Sequence, residues 1–359
     1  MKVSKCRSVL LFLICLVFSS AYAWAGTDSL RDRTGEALKQ AMAKLGHPTN
    51  PDNMVCLTNA GYAMVQGEGT LTLCRTVRDV CGVSADTGNI LRVHTDLDAP
   101  LYFAVAHKAG PETLPLVLVS LDGGAFKVSE PLDVYVKKGR SFEAFKSLGR
   151  YAFSVVSIAN GWANGLPEDM IQGALYHDHL CGGVSTGFLT VSYIRKHLPL
   201  APGQRYTYIG LPAWCQDDYI ATAMNLTPGK KGYLSMKFRQ DEVWKTAKEE
   251  YAGMGGLVIR YDAKARKGDA TLLKFDWHRD DFARFVDDPT MDLTKRSNPL
   301  LHVYYSRFFL ANQDHPEKFL SVMARQPIDS EEDLERLVAM GSNPLEAMLG
   351  KRVQGEKSE

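Results

Sequence analysis

Between residues 29 and 45 the apolar positions fall at 30, 37, 38, 41, 42 and 45, the spacing of a helix with one buried face, and Gly46 and Pro48 stop it. The texture then changes. Leu101–Ala106 and Leu114–Leu121 are short runs rich in β-branched and aromatic residues, and Asp122-Gly123-Gly124 closes the second, which predicts two strands and a tight turn. A helical patch at Ser141–Leu148 and an apolar segment at Tyr151–Ile158 lead to Asn160-Gly-Trp-Ala-Asn-Gly165, whose turn-forming residues mark a boundary. Pro167 opens a short helix. Val184, Phe188, Val191, Ile194 and Leu198 trace a longer one ending at Pro199, Tyr206–Leu211 reads as a strand, and Tyr219–Asn225 reads as a helix. In the tail, Ser330-Glu-Glu-Asp333 is a capping box ahead of Leu334, Leu337 and Val338, and Asn343-Pro344 opens a last helix. The pattern predicts an α+β protein in two parts: an N-terminal α+β region over residues 26–160, then a second domain over 161–290 with a helical extension over 291–359.

Residues 1–25 stand apart from this pattern. Lys2, Lys5 and Arg7 precede the apolar run Val9–Phe18, and Ala21-Tyr-Ala23 or Ala23-Trp-Ala25 offers small residues for cleavage, the layout of a secretory signal peptide. The run is shorter than the ~20 residues of a membrane-spanning helix, and no later stretch is long and apolar enough to be one. The expected product is therefore periplasmic or otherwise exported, without stable membrane insertion. Lys+Arg number 42 and Asp+Glu 41 in 359 residues; losing three cations from a formal net charge of +1 leaves −2. No broad basic surface exists to neutralise phosphates, which argues against nucleic acid as a partner.

Export changes how the cysteines read, because thiols pair outside the cytoplasm. Cys6 and Cys15 leave with the signal, so Cys56, Cys74, Cys81, Cys181 and Cys215 remain, an odd number that leaves at least one thiol unpaired, metal-bound or joined to another chain. No C-x-x-C occurs. Cys56, Cys74 and Cys81 have no histidine or carboxylate at ligand spacing, so one disulfide and one buried thiol is the expectation there.

The densest chemistry lies in Tyr176-His177-Asp178-His179-Leu180-Cys181-Gly182-Gly183. In an extended backbone residues 177, 179 and 181 leave from one face. The glycines let the chain turn into the helix, and a helix N-terminus beside Cys181 lowers a thiol's pKa. Mixed His and Cys ligation suits zinc first and another transition metal second. Cys215, at a second strand-to-helix junction, is a fourth metal-ligand candidate beside His177, His179 and Cys181. Asp218 orients a ligand or moves protons, as could His177 where it lines the cleft. Lys230, in Thr227-Pro-Gly-Lys-Lys-Gly232, and Tyr176 are candidates to hold a bound cofactor at the rim. A plain Cys181–Cys215 disulfide stays open as an alternative.

His-x-His-x-Cys-Gly-Gly, then Cys215-Gln-Asp-Asp218, then Thr227-Pro-Gly-Lys230, resembles the FmdE family, named for a protein encoded beside molybdenum formylmethanofuran dehydrogenase subunits. The resemblance covers roughly residues 165–280. It implies a thioredoxin-like α+β domain, a mixed sheet flanked by helices, with a site able to hold zinc at His179, Cys181 and Cys215. Gly182 stands where many members have proline, the lysine turn is one residue longer, and no cysteine follows Cys215, so the C-terminal zinc finger of some members is missing. The expected function is binding or trafficking of a metal ion or a metal-containing small-molecule cofactor such as haem. A metal-dependent enzyme using Asp218 or His177 as acid or base, and a thiol redox protein using Cys181 and Cys215, are the alternatives; a homodimer is compatible with the sequence.

Overall fold

The computed structural model describes residues 30–236, 254–294 and 298–349. The expected signal peptide and the tail beyond residue 349 lie outside them. Contacts divide the chain into two compact units, meeting in sequence at Tyr135 and Val136.

In the first unit the periodic segment is a helix over residues 30–44 (α1), with Leu30, Ala37, Leu38, Ala41 and Met42 buried. It shares a core with α2 (Leu73–Cys81). Beneath both lies a sheet of β1 (Met54–Thr58), β4 (Ile90–Arg92), β5 (Tyr102–His107), β6 (Pro115–Asp122) and β7 (Ala125–Val128), with the short β8 (Leu132–Asp133) paired to β6; a small ribbon joins β2 (Met64–Val65) to β3 (Glu68–Gly69). The order is β4-β1-β5-β6-β7, with only β1/β4 parallel. The Asp122-Gly123-Gly124 turn joins β6 to β7 as the sequence predicts. Cys56 and Cys81 sit in this core and Cys74 packs against it, all three as free thiols. The expected disulfide is not formed here. Burial pushes the Cys56 thiol up, with Cys81 and Cys74 adding to the effect, so this trio is core filling rather than a reactive group.

The second unit opens with a 3-10 segment (Phe142–Tyr151) and α3 (Ala152–Ala163). The turn expected over 160–165 is instead the last turn of α3. Asn160 is fully buried there, its Oδ1 accepting from Val136 N–H at 2.8 Å and its amide donating to Val156 O, so its polarity is satisfied within the core. Only Asn164 and Gly165, with φ of 71° at the glycine, make the turn. Then come α4 (Glu168–Tyr176), α5 (Gly182–His197), β9 (Arg205–Gly210), α6 (Cys215–Ala223), β10 (Tyr233–Ser235), β11 (Met254–Asp262), β12 (Lys267–Phe275), α7 (Arg279–Val286), α8 (Pro299–Leu310), β13 (Leu320–Ile328), α9 (Glu331–Val338) and α10 (Pro344–Leu349).

The sheet order is β10-β9-β11-β12-β13, parallel at β10/β9 and antiparallel elsewhere. It is a mixed sheet with helices, as the α+β reading requires. The stretch after residue 291, expected to be helical, also supplies β13, which completes the sheet beside β12. Helices α9 and α10 cover one face through Leu337, Leu345 and Met348 against Ile209, Leu257, Ile259 and Leu272. On the other face Phe275 meets Phe309 of α8 and Phe319.

Helices α5 and α6 approach closely because α5 offers no side chain where they touch. A Cβ at Gly187 would fall 2.6 Å from Gln216 O and 3.0 Å from Tyr219 Cβ. Tyr219 fills that notch and is fully buried, a burial that contributes about 2 kcal/mol. Its hydroxyl donates to Asp169 of α4 at 3.0 Å, so three helices are pinned together below the reactive residues.

Candidate metal centre

The His-x-His-x-Cys run is not extended. His177 caps α4, Asp178 takes a left-handed backbone (φ 67°), and Leu180 turns into the core. Aspartate tolerates that conformation better than most residues. Two serines of α3 hold the loop: Ser154 hydroxyl donates to Asp178 O, and Ser157 Oγ accepts from Leu180 N–H at 3.1 Å. Alternation therefore does not bring the ligands together. His177 leaves from the end of one helix and Cys181 from the start of the next.

Cys181 is the N-cap of α5, its Sγ accepting from Val184 N–H at 3.5 Å, and it is buried. Cys215 is the first residue of α6, whose entry is fixed by Asp217 Oδ2 accepting from Trp214 N–H at 2.9 Å. Gly183 lets the two helix starts meet: a Cβ there would lie 2.5 Å from Cys215 Cβ and 3.4 Å from its Sγ. As a result His177, Cys181 and Cys215 each present a ligand atom within 4.8 Å of the others.

Asp218 Oδ2 accepts from His177 Nδ1 at 2.6 Å. That fixes the ring and leaves Nε2 as the coordinating nitrogen, buried and without a well-directed hydrogen-bond partner. A buried imidazole nitrogen facing two sulfurs fits a metal ligand. His179 lies next to this group, its ring 4.5 Å from that of His177, with Nδ1 bonded to Asp178. It lines the adjoining cavity and stands outside the three-residue cluster.

The electrostatics correct one expectation. The sequence assigns the lowered pKa to Cys181, but the structure gives it to Cys215, pulled down to about 4 by hydrogen bonds from the Cys181 thiol and then from His177, against an opposing effect of burial. Cys181 moves the other way, because its proton is held on Cys215 and its site is buried. Burial disfavours a charged His177, yet Asp218 and the Cys215 sulfur outweigh it and raise the ring to about 9. The two shifts act together, His177 toward its protonated form and Cys215 toward its thiolate.

Asp218 thus supports a ligand. Tyr176 ends α4 exposed, and Lys230 bonds to Asn225 on the 3-10 turn Pro228–Lys230; neither lines the cavity beside the sulfurs. That cavity, about 660 Å³, is walled by Trp214, Trp277, Phe282 and Tyr305, with His302 and Arg279 at its edge. His302 has no motif in the sequence, yet its Nδ1 accepts from Gly182 N–H at 3.1 Å. The available signal was its place on α8, three residues before Tyr305 and seven before Phe309, on one helix face. Ser154 and Ser157 were also readable as two serines, three apart, in an apolar helix.

Among the described residues no helix is long and apolar enough to cross a membrane. No curated protein matches the chain at a significant level. Residues 176–350 match the model of the family described as FmdE, Molybdenum formylmethanofuran dehydrogenase operon. His177, Cys181, Cys215 and the aromatic walls all fall inside that span, and the second unit of this chain therefore carries an FmdE-family domain.

Proposed function

We propose that this protein is exported and binds a transition metal, zinc foremost, through His177 Nε2, Cys181 Sγ and Cys215 Sγ, for binding or trafficking. One imidazole and two thiolates form a donor set that suits zinc and leaves a position for a further ligand. The ion itself or the metal of a small cofactor such as haem is the cargo. The observation that carries the reading is the cluster itself: His177, its ring held by Asp218, presents a ligand atom within 4.8 Å of those of Cys181 and Cys215. A bound metal would supply Lewis acidity at an open position. Asp218 is engaged with His177, so it serves as an orienting group rather than a free acid or base, which favours binding over turnover.

A second reading rests on a separate observation. Cys215 as a thiolate beside the protonated Cys181 is the arrangement of a thiol pair that attacks a disulfide: Cys215 would form a mixed disulfide and release one thiolate, and Cys181 would then displace the other. Elemental analysis with an absorption spectrum, on wild type beside Cys181→Ala and His177→Ala, separates the two. About one metal per chain, lost in both variants, is expected. Metal-free wild type with Cys181 and Cys215 joined would overturn the metal reading in favour of thiol exchange.

A further inference from the structure

The cavity beside the sulfurs is more specifically built than an ion alone requires. Its volume of about 660 Å³ lies in the range of sites for small organic molecules. Trp214 and Trp277 lie 5.9 Å apart between ring centres, Trp277 meets Tyr305 edge-on at 5.1 Å, and Tyr305 stacks on Phe282 at 3.8 Å. The stack immobilises Tyr305, so the aromatic wall exists before anything binds. The floor is the backbone of Gly182 and Gly183, where a Cβ would come within 3.3 Å of Tyr305 and of Trp214 respectively. Side chains there would fill the space that the rings enclose.

One cation stands at this wall. Arg279 is exposed, lines the cavity, and makes no ion pair among the described residues. The nearby acid Asp281 is engaged by Arg284 and by His278, the latter at 3.4 Å. Arg279 is also the first residue of α7, where a cation opposes the helix dipole, a placement that stability does not favour. His302 also lines the cavity, its Nδ1 accepting from Gly182 N–H at the floor.

From these we infer that the cavity takes a flat, conjugated ring bearing an acidic group, the ring held against Trp214, Trp277 and Tyr305 and the acid by Arg279. Aromatic faces select a planar π-system over a saturated one, and a guanidinium selects a carboxylate or phosphate over a neutral substituent. The inference rests on the metal-binding reading in one respect: a ligand seated there faces the ion held by Cys181 and Cys215.

Calorimetric titration of the purified protein, its metal content measured in parallel, tests this with three probes. Naphthalene-2-carboxylate has ring and charge, naphthalene-2-carboxamide has the ring alone, and cyclohexanecarboxylate has the charge alone. The first should bind about tenfold or more tightly than either of the others. Arg279→Gln should bring the acid down to the affinity of the amide, leave the amide unchanged, and retain full metal content. Tyr305→Leu should weaken both naphthalene probes. Equal binding of acid and amide, an unchanged acid affinity in Arg279→Gln, or no binding of any probe would overturn the inference. Metal retained without probe discrimination sinks only the ligand class; discrimination in a protein that holds no metal sinks only the metal reading.

Discussion

The spacing of α5 and α6 can be tested with one methyl group. In Gly183→Ala the new Cβ would fall 2.5 Å from Cys215 Cβ and 3.3 Å from the Trp214 ring. Carbon atoms pack at about 3.5–4.0 Å, so the start of α6 must retreat by about 1 Å. Metal sites tolerate ligand displacements of only about 0.2 Å, and Cys215 is the residue displaced. Two costs must be kept apart. Overpacking removes about 1–3 kcal/mol of stability, whereas alanine in place of glycine in a helix returns up to about 1 kcal/mol, so the folded metal-free protein should lose about 0–3 kcal/mol. Zinc affinity should fall by at least about tenfold, beyond whatever stability the metal-free protein loses. Competition against a chromogenic chelator measures the affinity, and thermal unfolding of the metal-free protein measures the stability. Gly229→Ala, where a Cβ meets nothing within 4 Å, is the control and should change neither. Wild-type zinc affinity in Gly183→Ala, or an equal loss in the control, would refute the claim that the contact between helix starts sets the site.

Two further outcomes follow from the groups around the proposed metal site. Asp218→Asn removes the carboxylate that holds Nδ1–H of His177, so zinc affinity measured by the same competition should drop about 10- to 100-fold while the far-ultraviolet circular dichroism is unchanged; an unaltered affinity would show that Asp218 does not orient the ring. In the metal-free protein the Cys215 pKa is lowered to about 4, so its thiolate absorbance should persist from neutrality into mild acid and disappear as pH falls through about 4. Cys181→Ala removes the largest contributor to that shift and should move the midpoint upward, and a midpoint unmoved by the substitution would contradict the hydrogen-bonded sulfur pair.

Parts of this architecture were legible because the relevant physics is local. The α1 stripe, the β6–β7 turn, the glycines opening α5 and the capping box at Ser330 each announce themselves within a few residues; Ser330 Oγ accepts from Asp333 N–H at 3.1 Å as the motif requires. The co-location of His177, Cys181 and Cys215 was legible as chemistry, and the placing of Cys181 and Cys215 at helix starts was legible too, but the strand alternation assigned to residues 177, 179 and 181 is not what the fold uses. Asp178 in the left-handed region breaks the alternation, and His177 reaches the sulfurs from the end of α4 instead. Edge strand β13 was hidden for a different reason. Its residues are mostly half-buried or exposed and include Arg325 and Pro327, the composition of an edge rather than of a core strand. Asn160 read as a turn residue because nothing local reveals that Val136 supplies its partner. The aromatic wall could not be read at all, since Trp214, Trp277 and Tyr305 meet only through tertiary packing.

The bond from Gly182 N–H to His302 joins residues 120 positions apart in the chain. It has a consequence in time rather than in space. Contacts of such separation form after local helices and hairpins, since a long loop must close first. The first turn of α5, beside Cys181, therefore gains this contact only once the segment carrying α8 has been made and has docked. Were Cys181 a metal ligand, its completed site would be present only late in folding, and a half-folded chain would present its histidines and thiols singly, as weak and indiscriminate ligands. A metal bound there would then be loaded by a finished domain rather than by an emerging one, an order to which this long-range contact contributes.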